Sequence, residues 1–219
     1  MKKNIYDKYI IGISYGFHDS AVALVQNGKV LNAVEEERFT GVKHDFSFPI
    51  NSINWILKQN NITFKDISTV CYYENPKLKY NRDWKSYWKY FWKNPFKFPN
   101  KLNHLSELEQ VFPLSKIVYN NHHLSHLAYS YYTSEFKESA ILSVDGVGEW
   151  DTTVLASGKD NIIKRYSEVV YPHSLGLLYS TITAFLGFKP NEGEYKVMGL
   201  APYGTHLFHH KKFNKLVKE

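Results

Sequence analysis

The chain has 219 residues, of which 43% are hydrophobic and 16% aromatic, so it is long enough to bury a core and too apolar for wholesale disorder. Its single cysteine, Cys71, excludes an internal disulfide framework and a zinc site built from several cysteines, and we expect a buried, inert thiol. The net charge of +6 comes partly from two basic, aromatic stretches, residues 83–101 and 206–218, but no nucleic-acid motif accompanies them, and we expect no nucleic-acid partner.

The apolar segments are all short, below the ~18 residues that a transmembrane helix needs. The first residues contain no signal-peptide core, so we expect a cytoplasmic protein that does not enter a membrane. Residues 9–14, 21–25 and 29–35 are predicted strands. Asn27-Gly28, between the second and third strands, is a strong signal for a two-residue hairpin.

Helices and strands alternate in the middle of the chain. The spacing of Ile53, Ile56 and Leu57 predicts a helix that begins at Pro49, and residues 67–73 read as a strand. Aromatic residues recur among lysines from residue 83 to 92, which fits either a peripheral helix packed on the body or a surface that meets a membrane or partner. Further predicted elements are a helix over 102–111, a strand over 116–119 and a helix over 122–132.

A second group of strands is predicted over residues 140–144, 152–156 and 162–170, with turns at 145–148 and 157–159 and a helix over 175–185. Its plan repeats that of the first forty residues: strand, glycine turn with an acidic residue, strand, Gly-Lys turn, strand. Duplicated β-β-β-α lobes with facing glycine turns are the plan of the actin-like, ribonuclease H-like α/β fold, whose turns hold nucleotide phosphates.

We therefore expect two lobes. The first covers residues 1–135 and contains an aromatic-basic insertion at about 77–115. The second covers residues 136–219 and is expected to be incomplete, because only one helix and a loop follow its three strands.

The histidines at residues 122–126 carry the strongest chemical signal. On a helix, His122 and His126 share a face and can chelate one metal ion, whereas His123 and His126 form a competing pair. Asp145, at the end of a following strand, can add an oxygen ligand. Two imidazoles and a carboxylate with open positions suit Fe(II), Mn or Zn. The alternative is that these histidines cap the helix or form hydrogen bonds in the core.

Three other segments contain candidate groups. His18, in the first glycine turn, is either a general base that titrates near neutral pH or a residue that bonds to nearby backbone. Arg38 and Lys43 belong to a run of acids and bases that either holds a phosphate or carbamoyl oxygen or is a solvated surface. Lys196 lies in a glycine-spaced loop over residues 193–204, which matches neither the Walker A nor the Rossmann pattern.

Taken in order, these segments closely resemble the N-terminal domain of NodU/CmcH-type O-carbamoyltransferases, from about residue 10 to residue 204. The motifs that carry the likeness are Phe17-His18-Asp19-Ser20-Ala21, Glu36-Glu37-Arg38-Phe39-Thr40, Lys43-His44-Asp45, His122-His123-Leu124-Ser125-His126, Val144-Asp145-Gly146-Val147-Gly148-Glu149 and the run from Glu194 to Gly204. Several specific motifs in one order make chance a poor explanation.

The resemblance implies a site and a reaction. His122, His126 and Asp145 match the metal ligands, His18 matches the proposed catalytic base, and Lys43 matches a contact to the carbamoyl or phosphate group. The metal is expected to be Fe(II) ahead of Mn or Zn. The remaining residues expected at the substrate site are Arg38, Gly146, Gly148 and Lys196.

In the reaction that the resemblance implies, carbamoyl phosphate and ATP give a carbamoyl-adenylate in a downstream YrdC-like domain or chain. The actin-like domain then passes the carbamoyl group to a hydroxyl of a small-molecule acceptor. We expect the chain to be incomplete alone. The alternatives are a non-catalytic remnant that binds metal or nucleotide, and a relative of the tRNA threonylcarbamoyl-transfer enzymes, which the motifs fit less well.

Overall fold

The computed structural model describes residues 9–90 and 104–204, whose strands form two β-sheets. The first sheet has the order β3-β2-β1-β4-β5, and its strands are β1 Tyr9–Ser14, β2 Ala21–Gln26, β3 Lys29–Glu35, β4 Ile67–Tyr72 and β5 Lys116–Tyr119. β2 runs opposite to the other four strands: it pairs antiparallel with β1 and β3, whereas β1 pairs parallel with β4, and β4 parallel with β5. This order is that of a ribonuclease H-like, actin-like lobe, and the predicted fold class is confirmed.

The helices of this first region are α1 Glu37–Thr40, α2 Ile50–Gln59, α3 Pro76–Tyr90 and α4 His104–Val111, with a single 3₁₀ turn at Phe64–Asp66. Helix α2 begins directly after Pro49, and its predicted apolar face is fully or nearly fully buried. That face packs in one core with Ile11 and Leu24 of the sheet and Phe112 beyond α4. Burial of these side chains, at about 1.5–3 kcal/mol each, holds the sheet to α2 and α4.

The second sheet is an antiparallel meander of β6 Glu138–Val144, β7 Asp151–Lys159 and β8 Ile162–Val170. Helix α5, His122–Tyr132, covers one of its faces and buries Leu127 and Tyr131 against Ile141 and Val154. The chain then forms α6 Leu175–Phe185, α7 Glu194–Leu200 and a 3₁₀ turn at Ala201–Tyr203. The helix that carries the candidate metal ligands is thus packed on the second sheet.

Two sequence-based predictions of irregular structure are wrong. The hairpin turn between β7 and β8 lies at Asp160 and Asn161, so Gly158 is inside a strand and not in a turn. The predicted glycine-spaced loop over 193–204 is helical, and the Glu194 carboxylate at its start accepts hydrogen bonds from Asn191 N–H and the Ser180 hydroxyl. In both segments glycine indicates a turn by residue type alone. Gly158 instead lies inside a packed strand, and Gly199 lies within a helix.

The aromatic-basic stretch is helical from Pro76, earlier than predicted, and its later part, residues 91–103, lies outside the described residues, as does the basic stretch over 206–218. Within α3 the Trp84 ring is half-buried and contacts Tyr80 and Tyr87 of the same helix. Trp88, which also contacts Trp84, is 64% exposed. The described part therefore packs on its own aromatic neighbours and leaves one large ring at the surface.

Among helices of the described residues, none has the length and apolarity needed to cross a bilayer. Cys71, in β4, is half-buried and not fully buried as predicted, and partial burial raises the pKa of its thiol. A raised thiol pKa lowers the thiolate fraction, which keeps the group unreactive.

Gly158 provides a test of how α5 packs on β7. A Cβ atom at this position would lie 2.5 Å from the Tyr131 ring, so Gly158→Ala must displace a buried aromatic side chain. We expect the variant to lose about 1–3 kcal/mol of unfolding free energy, as overpacked cores do. Urea denaturation measures this loss.

The matched control is Gly199→Ala in α7, where a new Cβ would have no atom within 4 Å. Because alanine favours a helix over glycine, that variant should gain up to about 1 kcal/mol. Equal stability of the two variants would show that α5 does not pack on Gly158 as described.

Candidate functional site

Three side chains predicted as metal ligands meet at the edge of the second sheet. His122 and His126 lie one turn apart on α5, and Asp145 directly follows β6. His122 Nε2 is 2.8 Å from Asp145 Oδ2 and 3.1 Å from His126 Nε2, and His126 Nε2 is 3.7 Å from the same oxygen. All three ligand atoms lie within 4.8 Å of one another, so one small cation can contact all three.

The sequence of α5 places these imidazoles. Asn121 caps the helix, because its side chain accepts a hydrogen bond from Leu124 N–H at 3.0 Å, which fixes where the first turn begins. Residues four apart then project from the same face. His126 is half-exposed, whereas His122 is largely buried, so the cluster opens to solvent on the His126 side.

His123 is turned away from this cluster. Its ring is fully buried, with Nδ1 2.9 Å from Ser143 Oγ and Nε2 2.8 Å from the carbonyl oxygen of Asp151. Burial lowers the pKa of His123, which keeps the ring neutral. The neutral ring donates from Nε2 to the carbonyl and accepts at Nδ1 from the serine. Of the two pairs left open by the sequence, the structure therefore brings His122 and His126 together and places His123 in the core.

Asp145 is held in its charged form. Although burial acts to raise it, hydrogen bonds from His122, His126 and the backbone N–H of Gly146 hold the pKa of Asp145 well below its usual range. The Gly146 N–H lies 2.7 Å from Asp145 Oδ1, so it leaves Oδ2 facing the histidines. A permanently ionised carboxylate beside two imidazoles is a suitable set of donors for a divalent cation.

The turn after β6 is fastened to the start of α5. Gly148 lies so close to the helix that a Cβ there would be 2.9 Å from His122 Cβ and 3.1 Å from His123 Cδ2. Its N–H donates to the Asp151 carbonyl at 2.8 Å, and its carbonyl accepts from the Arg82 guanidinium. Gly148, predicted to contact substrate, thus has its N–H and its carbonyl both bonded to protein atoms. Its lack of a side chain leaves room for α5.

Glu149, next in the chain, is a buried carboxylate that sequence reasoning missed. It is 1% exposed and accepts hydrogen bonds from Asn75 N–H at 2.6 Å, from His122 N–H at 3.0 Å and from the Asn121 side-chain amide at 3.1 Å. A negative charge at the first turn of α5 is also favoured by the helix dipole. Glu149 therefore joins three segments: the end of β4, the start of α5 and the turn after β6.

A second buried acid, Glu74, was also missed. It is 4% exposed, its Oε1 accepts a hydrogen bond from Lys79 Nζ at 2.7 Å, and its Oε2 lies 3.9 Å from His122 Nδ1. His122 Nδ1 is itself buried and has no hydrogen-bond partner. The feature that would have located Glu74 is the sheet order, because β4 and β5 are parallel neighbours and residues just beyond such strands meet at one edge of the sheet.

His18 belongs to a separate group in the turn between β1 and β2. Its Nδ1 lies 2.9 Å from one carboxylate oxygen of Asp19, and the other oxygen lies 2.9 Å from Nδ1 of His44. Although burial acts to raise it, these two imidazoles lower the pKa of Asp19. Asp19 and His44 both adopt positive φ angles, 48° and 57°, a region that aspartate and histidine enter more readily than most residues with a side chain. Each ring contacts Asp19 through Nδ1, so Nε2 takes no part in these bonds.

The other predicted substrate contacts are spread over the surface. Lys43 is exposed beside His44, and both contribute to lowering the pKa of Glu192, after the stronger effect of Lys189. Arg38 is 70% exposed in α1, 3.6 Å from Glu35, at a cavity of about 730 Å³ on the first sheet. Lys196 lies on α7 with its Nζ over the Tyr195 ring.

The sequence was compared with known proteins. The sequence profile of a family described as "Carbamoyltransferase N-terminus" matches residues 9–97 and 85–216. The protein sll1178 of Synechocystis sp. is 42% identical over 213 residues, which cover 90% of this chain and 35% of that protein. Nodulation protein NolNO of Sinorhizobium fredii is 35% identical over 202 residues, which cover 90% of this chain and 29% of that protein.

Component A of the Acidaminococcus fermentans (R)-2-hydroxyglutaryl-CoA dehydratase, a solved structure, aligns over 90% of this chain and 70% of its own, with 13% identity and a TM-score of 0.42. The chain spans about a third of the length of the curated relatives named above. The family profile runs through nearly all of the described residues and includes the turn of His18 and the cluster of His122, His126 and Asp145. The chain therefore belongs to the carbamoyltransferase family and matches its N-terminal region.

Proposed function

We propose that this chain provides the carbamoyl-transfer site of an O-carbamoyltransferase and holds a divalent metal at His122, His126 and Asp145. The observation that carries the proposal is the convergence of these three side chains, whose donor atoms are 2.8, 3.1 and 3.7 Å apart. Ligands about 2.0–2.2 Å from a common ion stand roughly 3 Å from each other, so the spacing suits a cation.

The environment of the cluster also fits a metal. His122 presents Nε2 to Asp145 and His126, whereas its Nδ1 is buried and has no hydrogen-bond partner, so Nε2 is the nitrogen that would bind an ion. Two nitrogen donors and one oxygen donor, with coordination positions left open toward solvent, suit Fe(II), with Mn or Zn as alternatives. When bound, the ion would act as a Lewis acid on an oxygen of the carbamoyl donor.

His18 is proposed to remove the proton from the acceptor hydroxyl. Asp19 fixes the ring through Nδ1, which keeps the lone pair of neutral imidazole on Nε2. An oriented imidazole of this kind is suited to general-base catalysis on an alcohol that attacks a carbonyl carbon. As the hydroxyl oxygen bonds to the carbamoyl carbon, the bond from that carbon to the phosphate oxygen breaks, and the nucleotide leaves.

The carbamoyl donor is proposed to be carbamoyl-adenylate, made from carbamoyl phosphate and ATP by a YrdC-like domain or chain, and the acceptor a small molecule. Lys43, Arg38 and Lys196 are exposed cations that would contact the phosphate or carbamoyl oxygens. Gly146 is proposed to border the same substrate, beside the Asp145 ligand. Gly148 is proposed to keep α5 close to the turn that carries Asp145. The cavity that Arg38 lines, about 730 Å³, is of a size common for small-ligand sites.

The test is carbamoyl transfer from supplied carbamoyl-adenylate, measured with the metal-loaded chain and with the chain plus the remaining region of a full-length relative. We expect His18→Asn to lower kcat about 10²–10⁴-fold, the usual contribution of a general base. Asparagine retains a donor near Asp19 but removes Nε2. Metal content should be unchanged, because His18 lies outside the cluster.

His173→Asn is the matched control, since His173 is an exposed histidine outside both groups. Its kcat should stay within about twofold of the parent value. A parent that binds metal at the cluster yet transfers no carbamoyl group in the complemented assay would instead mark a non-catalytic binding module.

A further inference from the structure

The orphaned nitrogen of His122 faces a buried carboxylate. From its position, we infer that Glu74 is a positioning residue that orients His122 for the metal, an inference that rests on the proposed metal site. Glu74 Oε2 is 3.9 Å from His122 Nδ1, somewhat longer than a hydrogen bond, and both atoms are inside the protein.

The two ring nitrogens of His122 face different carboxylates. Nε2 lies 2.8 Å from Asp145 Oδ2, in the cluster, whereas Nδ1 is the buried nitrogen without a hydrogen-bond partner. An ion at the cluster needs the Nε2 lone pair, which moves the proton to Nδ1. The nearest acidic oxygen to that new N–H is Glu74 Oε2, and a ring rotation of about 1 Å at Nδ1 closes the gap to a hydrogen bond.

Glu74 is itself held in place on its other side. Lys79 Nζ donates to Oε1 at 2.7 Å, which supplies the counter-charge that a carboxylate 4% exposed requires. The Tyr73 ring stands edge-on to the His122 ring, with centroids 5.6 Å apart, and burial together with the neighbouring Glu74 raises the pKa of Tyr73. The Glu74 carboxylate is therefore held in a fixed orientation inside the protein, on the Nδ1 side of the His122 ring.

The test is the affinity of the full chain for Co(II) or Zn(II), measured by competition with a chromophoric chelator. Loss of an outer partner of a ligating histidine typically weakens metal binding 10–100-fold. We expect Glu74→Gln to fall in that range. The matched control is Glu138→Gln, which makes the same change at a carboxylate that is 65% exposed at the start of β6, and its affinity should stay within about threefold of the parent.

A second measurement needs no variant. In the Zn-loaded parent, long-range ¹H–¹⁵N spectra should show the His122 proton on Nδ1, in slow exchange with water. Coordination through Nδ1, with the proton on Nε2, would overturn the role of Glu74 even if Glu74→Gln does not fold.

The outcomes separate the two proposals. A parent whose metal binding depends on His126 but whose affinity is unchanged by Glu74→Gln overturns the role of Glu74 and leaves the metal site intact. A parent that binds metal equally well with and without the His126 imidazole overturns the metal site and the role of Glu74 together.

Discussion

His126→Ala is expected to weaken the binding of a divalent metal by at least about 100-fold, the upper end of what loss of an outer-shell partner costs. The reason is geometric: His126 Nε2 completes a triangle with His122 Nε2 and Asp145 Oδ2, and two remaining donors on a partly open surface cannot enclose an ion. The fold should survive, because the His126 side chain is 52% exposed. Elemental analysis after purification without chelators, and competition titration with Co(II), measure the effect.

The control for this prediction is His173→Ala, which removes an exposed histidine from outside the cluster and should bind as much metal as the parent. Asp145→Asn extends the test, since it removes a carboxylate that is ionised at all ordinary pH values. It should lose binding to a similar degree. Equal metal content in the parent and the His126→Ala protein would place any bound ion elsewhere and refute the assignment of this cluster.

The elements that local pattern dictates were predictable from the sequence. Strands β1, β3 and β5 and helix α5 have the predicted limits, because β-branched runs, the Asn27-Gly28 hairpin and the Asn121 cap are signals confined to a few neighbouring residues. The convergence of two α5 histidines with Asp145 was also within reach. Helix periodicity puts both imidazoles on one face, and the motif order supplied the carboxylate.

What sequence reasoning missed depends on distant contacts. Gly158 resembles a turn residue until the Tyr131 ring, 27 positions earlier, is found packed upon it. Glu74 and Glu149 resemble surface acids, although both are buried by the parallel pairing of β4 with β5 and by the turn after β6. No local pattern reports that a carboxylate will find three N–H donors on two other segments, so such residues emerge only once the sheet order is known.

The site combines a cluster that opens to solvent with buried carboxylates behind it. Asp145, His122 and His126 form the proposed metal site, and two buried acids, Glu74 and Glu149, lie behind it. His123 shows the same division within one helix turn, because its ring is tied to Ser143 and the Asp151 carbonyl and anchors α5 to β6 and β7. His123 thus serves packing, whereas its neighbour His122 and His126 are the proposed metal ligands.

Glu149→Ala is expected to destabilise the chain by about 3 kcal/mol or more, the largest stability effect predicted for any single substitution here. In the parent, three donors share the buried Glu149 carboxylate: the N–H groups of Asn75 and His122 and the side-chain amide of Asn121. Removal of the carboxylate leaves all three without this acceptor. Each unsatisfied buried donor costs about 1–3 kcal/mol. Because the start of α5 is released, metal affinity at His122 should fall as well.

Urea denaturation with a fixed m-value measures the loss, and Glu149→Gln separates charge from hydrogen bonding. The glutamine oxygen can accept some of the N–H groups, so that variant should retain roughly half of the lost stability. Glu138→Ala is the surface control: its carboxylate is 65% exposed beside Lys159, and its removal should change stability by no more than about 0.5 kcal/mol. If Glu149→Ala lost as little stability as Glu138→Ala, the Glu149 carboxylate would not be the group that holds α5 to the end of β4.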